Sequence, residues 1–165
     1  MNLINPLDIH SKVEIEDLHL WVKKIKFNPR DSKKWRLFMP VWNDQYPPLP
    51  EFQDLPFAYI SKFLEKDNVS WNHYHNVKRE VLIPLSWEYE MIFEDVKTNA
   101  RFILNVSHTE NVWIYVPTWV SHKIISRAET GVLLVLASNP SDLGDEIEYI
   151  VKTKESVTDL KNATL

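Results

Sequence analysis

The chain has 165 residues, 44% of them hydrophobic, which is enough for one core and too few for two ordinary domains. A formal net charge of −4 gives no field for nucleic-acid backbones or anionic membranes, no apolar run reaches bilayer length, and the N-terminus lacks the plan of a secretory signal, so a cytoplasmic protein is expected, with neither nucleic acid nor membrane as partner. Without cysteine, disulfides, thiolate metal sites and cysteine nucleophiles are excluded, and any metal must be held by histidine, aspartate or glutamate.

Residues 13–27, VEIEDLHLWVKKIKF, fit an amphipathic helix and a strand equally. Pro47, Pro48, Pro50 and Pro56 remove backbone donors and fix φ, so residues 43–56 are expected to form an extended loop leading into a barrel. From Phe57 onward the sequence breaks into eight β-rich runs: FAYISKFLE, WNHYH, EVLIPL, WEYEMIFE, ARFILNV, NVWIYV, SHKIISR and GVLLVLAS. Trp87, Tyr89, Met91 and Phe93 alternate with Glu88, Glu90, Ile92 and Glu94, the period of two that a half-buried strand requires. The separators DNVS, EDVKTN, SHTEN and AET suit hairpins and not helical crossovers. With Gly131 and Gly144 the only glycines, the turns must rely on Asn, Asp, Ser and Pro. The expected architecture is all-β, an antiparallel jelly roll or cupin barrel over residues 57–151. An N-terminal extension with the Pro-rich lead-in occupies 1–56 and a charged tail 152–165. In the closing stretch DEIEYIVK is the part that reads as ordered, and no chemistry is attached to it.

His73 and His75 are two residues apart, so on a strand both imidazoles leave one face, ~6 to 7 Å apart along the chain. Glu80 follows after the polar segment NVKR, which is read as a turn that brings Glu80 back on a return strand toward the histidines. Pro117 ends one strand and His122 opens the next. His10, His19 and His108 read as packed or surface residues, and Glu88, Glu90, Glu94 and Asp95 as a solvated outer face. Tyr74, between the two histidines, should point to the other side of the strand.

The run HYHNVKRE followed by PTWVSH resembles the two motifs of the cupin superfamily, whose members commonly bind a metal through the positions of His73, His75, Glu80 and His122. LPFAYISKFLE, NHYHNVKREVLIPL, VWIYVPTWVSHKI and GVLLVLASNPSDLGDEIEYI further resemble successive blocks of the WxcM-like sugar 3,4-ketoisomerases, relatives of the dTDP-4-dehydrorhamnose 3,5-epimerases. That resemblance implies an RmlC-like barrel, a homodimer, a dTDP-linked 4-keto-6-deoxyhexose as substrate, and proton transfer between C3 and C4 by a histidine of the HxH pair without a metal. His75 is then the expected base, because a histidine titrates close to working pH, and His73 the second acid or base. Tyr59, Tyr115, Trp119 and Arg101 are candidates for lining the substrate pocket.

Two positions depart from the ketoisomerase pattern. Ser70 and Trp71 stand where the family has Arg-Gly, leaving Lys78, Arg79 or Arg101 as substitutes for the diphosphate-binding arginine. Glu80 stands where the family tends to carry glutamine, completing three histidines and one carboxylate suited to Fe, Mn, Ni or Zn. A metal-dependent cupin enzyme (oxygenase, isomerase or hydrolase) and a non-catalytic sugar-binding cupin are the alternatives.

Overall fold

The computed structural model describes residues 13–27, 30–33, 36–38, 54–140 and 144–151. The strands are β1 (Val13–Asp17), β2 (Lys23–Phe27), β3 (Arg30–Lys33), β4 (Arg36–Phe38), β5 (Phe57–Phe63), β6 (Val69–Tyr74) and β7 (Glu80–Ser86), then β8 (Glu88–Asp95), β9 (Arg101–Ser107), β10 (Val112–Val116), β11 (Val120–Ser126), β12 (Gly131–Ala137) and β13 (Ile147–Glu148). The eight runs expected after Phe57 are β5 to β12. One sheet has the order β1-β2-β10-β7-β12-β5 and the facing sheet β13-β6-β11-β8-β9, with β3 and β4 a separate two-stranded ladder. The pairs are antiparallel throughout, as in a jelly roll. Among the described residues no helix is long and apolar enough to cross a membrane.

Alternation explains the core. Leu82, Met91, Phe93, Ile114, Ile124, Leu133 and Val135 come from both sheets and meet between them. Their neighbours Val81, Ile83, Trp113, Tyr115 and Leu136 face the other way and pack with Ile25 and Leu55 on the outer side of the six-stranded sheet. That sheet is therefore apolar on both faces, which is why its strands read as continuous hydrophobic runs.

One open reading is settled and several expectations are corrected. Residues 13–27 are two antiparallel strands joined by a single 3-10 turn (His19–Trp21), and β2 pairs with β10, Ile25 opposite Trp113. The six-stranded sheet thus draws on residues N-terminal to the 57–151 segment expected to build the barrel. Trp87 is not part of the buried row: it lies between β7 and β8 at φ 62, 53% exposed. Glu94 is not solvated, because the Tyr149 hydroxyl donates to its Oε1 at 2.6 Å and covers it. The loop expected over 43–56 falls, up to residue 53, outside the described residues, as does the tail 152–165.

Candidate functional site

His73 lies near the end of β6, with His122 on the neighbouring β11 as its cross-strand partner. The chain is irregular here: Trp71 and Asn72 have φ of 67 and 86, and the β6–β11 register shifts between His122 and Lys123. Such a bulge bends a strand and re-aims side chains, and here it turns both imidazoles into the barrel. His75 follows just after β6, and Glu80 opens β7 in the facing sheet. The segment NVKR is therefore not a hairpin, because β6 pairs with β11 and β13 and never with β7. It carries the chain from one sheet to the other, and the site closes across the interior.

The ring centroids of His73 lie 4.7 Å from those of His75 and 4.9 Å from those of His122. Glu80 Oε2 sits 3.1 Å from His122 Nε2 and 3.6 Å from His75 Nε2, while Glu80 Oε1 accepts from the Tyr59 hydroxyl at 2.7 Å. His75 Nδ1 donates to the Asp145 carbonyl at 2.7 Å, and His122 Nδ1 to the Val120 carbonyl at 3.3 Å. A carbonyl oxygen can only accept, so in a neutral His75 ring the proton sits on Nδ1 and Nε2 presents its lone pair to the centre. The three Nε2 atoms and Glu80 Oε2 are buried and make no further hydrogen bond among the described residues.

Burial alone would raise the pKa of the Glu80 carboxyl, yet the His122 and His75 side chains facing it hold it well below the usual carboxylate range. His73 is pushed down to about 3 by burial first and then by the neighbouring charges of His122 and His75, so its imidazole is neutral at pH 7. Lys78, a candidate for a surface diphosphate ligand, is instead 1% exposed, with Nζ 3.3 Å from Glu80 Oε1 and 3.0 Å from Glu146 Oε1. Spacing gave no sign of this, since a lysine in a polar tetrapeptide reads as solvated.

A cavity of about 360 Å³ opens beside the cluster, lined by Tyr59, Trp71, His73 and Glu146 among others. Of the four residues expected to line the pocket, Tyr59 does so. Tyr115 packs in the outer cluster, because Ile114 and Val116 take the inward positions of its strand. Trp119 stacks on Tyr74 at 5.8 Å with Lys97 Nζ 4.5 Å above its ring, on the side of β6 away from the histidines. Arg101 is the cross-strand partner of Glu94 and shares its outer face, whereas the inward pair is Phe93 and Phe102. Arg79 is partly buried, its amide donating to Ser138 Oγ at 3.0 Å. His19 and His108 are exposed, and His10 lies outside the described residues.

The donor set fits a first-row metal. One ligand atom from each of His73, His75, Glu80 and His122 lies within 4.8 Å of the others. The Nδ1-to-carbonyl bonds of His75 and His122 orient those rings as outer-shell partners orient metal-binding histidines.

A family profile described as FdtA: WxcM-like, C-terminal matches residues 51–158. No curated protein matches the sequence. Among solved structures, a double mutant of the QdtA 3,4-ketoisomerase from Thermoanaerobacterium thermosaccharolyticum, in complex with TDP, is 25% identical, with a TM-score of 0.65 over 79% of this chain and 88% of that one. A single mutant of the same enzyme in complex with TDP-4-keto-6-deoxyglucose is 23% identical, with a TM-score of 0.65 over 90% of this chain and 99% of that one. NovW, a 4-keto-6-deoxy sugar epimerase from Streptomyces spheroides, is 14% identical, with a TM-score of 0.69 over 81% of this chain and 72% of that one. With a profile match that spans most of the barrel, the chain belongs to the FdtA, or WxcM-like C-terminal, family.

Proposed function

We propose that the protein is a sugar 3,4-ketoisomerase acting on a dTDP-linked 4-keto-6-deoxyhexose. The observation that carries the reading is His73 on the cavity wall with the His75 ring 4.7 Å from it, the His75 Nδ1 held by a backbone carbonyl and its Nε2 3.6 Å from a carboxylate. Moving the carbonyl from C4 to C3 requires the C3 proton to be removed, an enediol to form and a proton to be delivered to C4. In this reading His75 Nε2 takes the C3 proton, and Glu80 Oε2 at 3.6 Å stabilises the imidazolium that results. His73, neutral and lining the cavity, is the second acid or base, or bonds the enediol oxygen as charge develops. Lys78 is held between two carboxylates and is not free to grip the diphosphate. The family's homodimer and absence of a metal cofactor belong to the same reading.

The test is NMR of a dTDP-linked 4-keto-6-deoxyhexose in D₂O. The wild type should introduce deuterium into the sugar and yield the 3-keto isomer. His75→Asn should lower turnover by roughly 10²- to 10⁴-fold while leaving nucleotide binding nearly intact. Absence of exchange by the wild type with dTDP- and UDP-linked keto sugars would reject the activity, and an unchanged rate in His75→Asn would reject that residue's role.

The four convergent donor atoms favour a second reading, a metal-dependent cupin enzyme in which His73, His75, Glu80 and His122 hold Fe, Mn, Ni or Zn. Such an ion would supply Lewis-acid chemistry at the same cavity.

A further inference from the structure

The segment 144–151, which sequence reasoning left without chemistry, is fastened to the site at its first residues. Asp145 Oδ1 accepts from the amides of Asn76 at 2.8 Å and Val77 at 3.3 Å, and Asp145 Oδ2 from those of Val77 at 3.1 Å and Lys78 at 2.7 Å. One carboxylate thus satisfies three consecutive backbone N–H groups of the crossover between β6 and β7. The same residue's carbonyl takes the His75 Nδ1 proton at 2.7 Å. Beyond it, β13 pairs with β6, Glu148 opposite His73, and the Tyr149 amide donates to the Asn72 carbonyl at 2.8 Å.

We propose that Asp145 is a positioning residue for His75. Its carboxylate, clamped by the three amides, fixes where its carbonyl sits, and the carbonyl fixes the ring as the Nδ1–H tautomer with Nε2 free. A neutral imidazole without that acceptor can carry its proton on either nitrogen, and an Nε2–H ring offers the centre a donor in place of a lone pair. The amide clamp matters because a backbone carbonyl cannot be removed by substitution but can be displaced when its own side chain loses its anchor. The consequence for turnover rests on the reading of His75 as the proton acceptor, and the consequence for the tautomer does not.

The experiment is ¹⁵N NMR of the full chain labelled at histidine, at a pH where His75 is neutral, for the wild type, Asp145→Ala and Asp145→Asn, each with kcat, KM and a thermal melt. The wild type should show His75 as Nδ1–H. Asp145→Ala should show a mixture of tautomers and a kcat lower by about 10- to 100-fold at little-changed KM, the range typical of outer-shell partners. Asp145→Asn keeps one side-chain acceptor and should recover most of both. A merely structural role would lower the melting temperature and leave tautomer and kcat alone, and that result overturns the proposal. So does a wild-type spectrum with His75 as Nε2–H. Should the alanine variant fail to fold, an asparagine variant with a wholly wild-type His75 spectrum and a lowered kcat would overturn it as well. A shifted tautomer in a protein whose wild type isomerises no keto sugar would support the positioning role while rejecting the proposed function.

Discussion

The Tyr59 hydroxyl and the Lys78 ammonium both approach Oε1 of Glu80, at 2.7 and 3.3 Å, and so leave Oε2 to the histidines. The two oxygens of one buried carboxylate have separate tasks. One is anchored by β5 and the crossover, and the other faces His75 and His122.

Removing the first anchor tests this division. Tyr59→Phe keeps the ring and deletes a hydrogen bond to a charged group, which typically contributes about 1.5–3 kcal/mol. A loss of that size in urea unfolding is expected, together with a lower kcat as the carboxylate loses its fixed orientation. Unchanged stability and turnover would show that Lys78 alone suffices to hold Glu80.

The metal reading is decided by Glu80→Gln. Elemental analysis of protein purified without chelator or added metal should find a stoichiometric first-row metal that is lost in the variant if the four residues are ligands. Metal-free wild type that turns over a keto sugar removes that reading.

Acid should loosen the fold through His73. Its folded pKa of about 3 lies below the ordinary value of 6.5, so between these values the unfolded chain binds a proton that the folded one excludes. The His73 contribution is therefore fully present above about pH 6.5 and declines as pH falls toward 3. Glu80, whose folded pKa is also depressed, adds a loss in the same direction below its ordinary value of 4.5. Chemical denaturation across this range should show stability falling with acid more steeply in the wild type than in His73→Asn. Parallel curves would contradict the buried neutral imidazole.

The barrel strands were legible because period-two alternation and short polar separators are local signals. β1 and β2 were not, since β2 is held by β10, a partner more than eighty residues away, and β1 by β2. The HxH, Glu and His spacings pointed to four side chains that do converge. Tyr115 misled because Val112–Val116 is buried on both faces, so no polar residue marks its outer side. Trp119 misled because its turn has φ 64, and a chain reversal of that kind puts the ring behind the strand it was expected to face. Lys78 and Asp145 were invisible for a common reason. Asp145 meets its partners, and Lys78 meets Glu146, only in the fold, and a lysine among polar residues or an aspartate in an acidic stretch reads as solvated.

The corner at Trp87 has a bearing on engineering. One residue joins β7 in one sheet to β8 in the other, and it does so at φ 62, a conformation that costs a side-chain-bearing residue about 1–2 kcal/mol and glycine almost nothing. The indole is 53% exposed, so deleting it forfeits the packing of the other half as it relieves the backbone. Trp87→Gly should lower the melting temperature by less than Trp87→Ala, which loses the same indole and keeps the strained φ, and calorimetric scans of the two variants would show it. A chain this poor in glycine carries backbone strain at its bends, away from the chemistry inside.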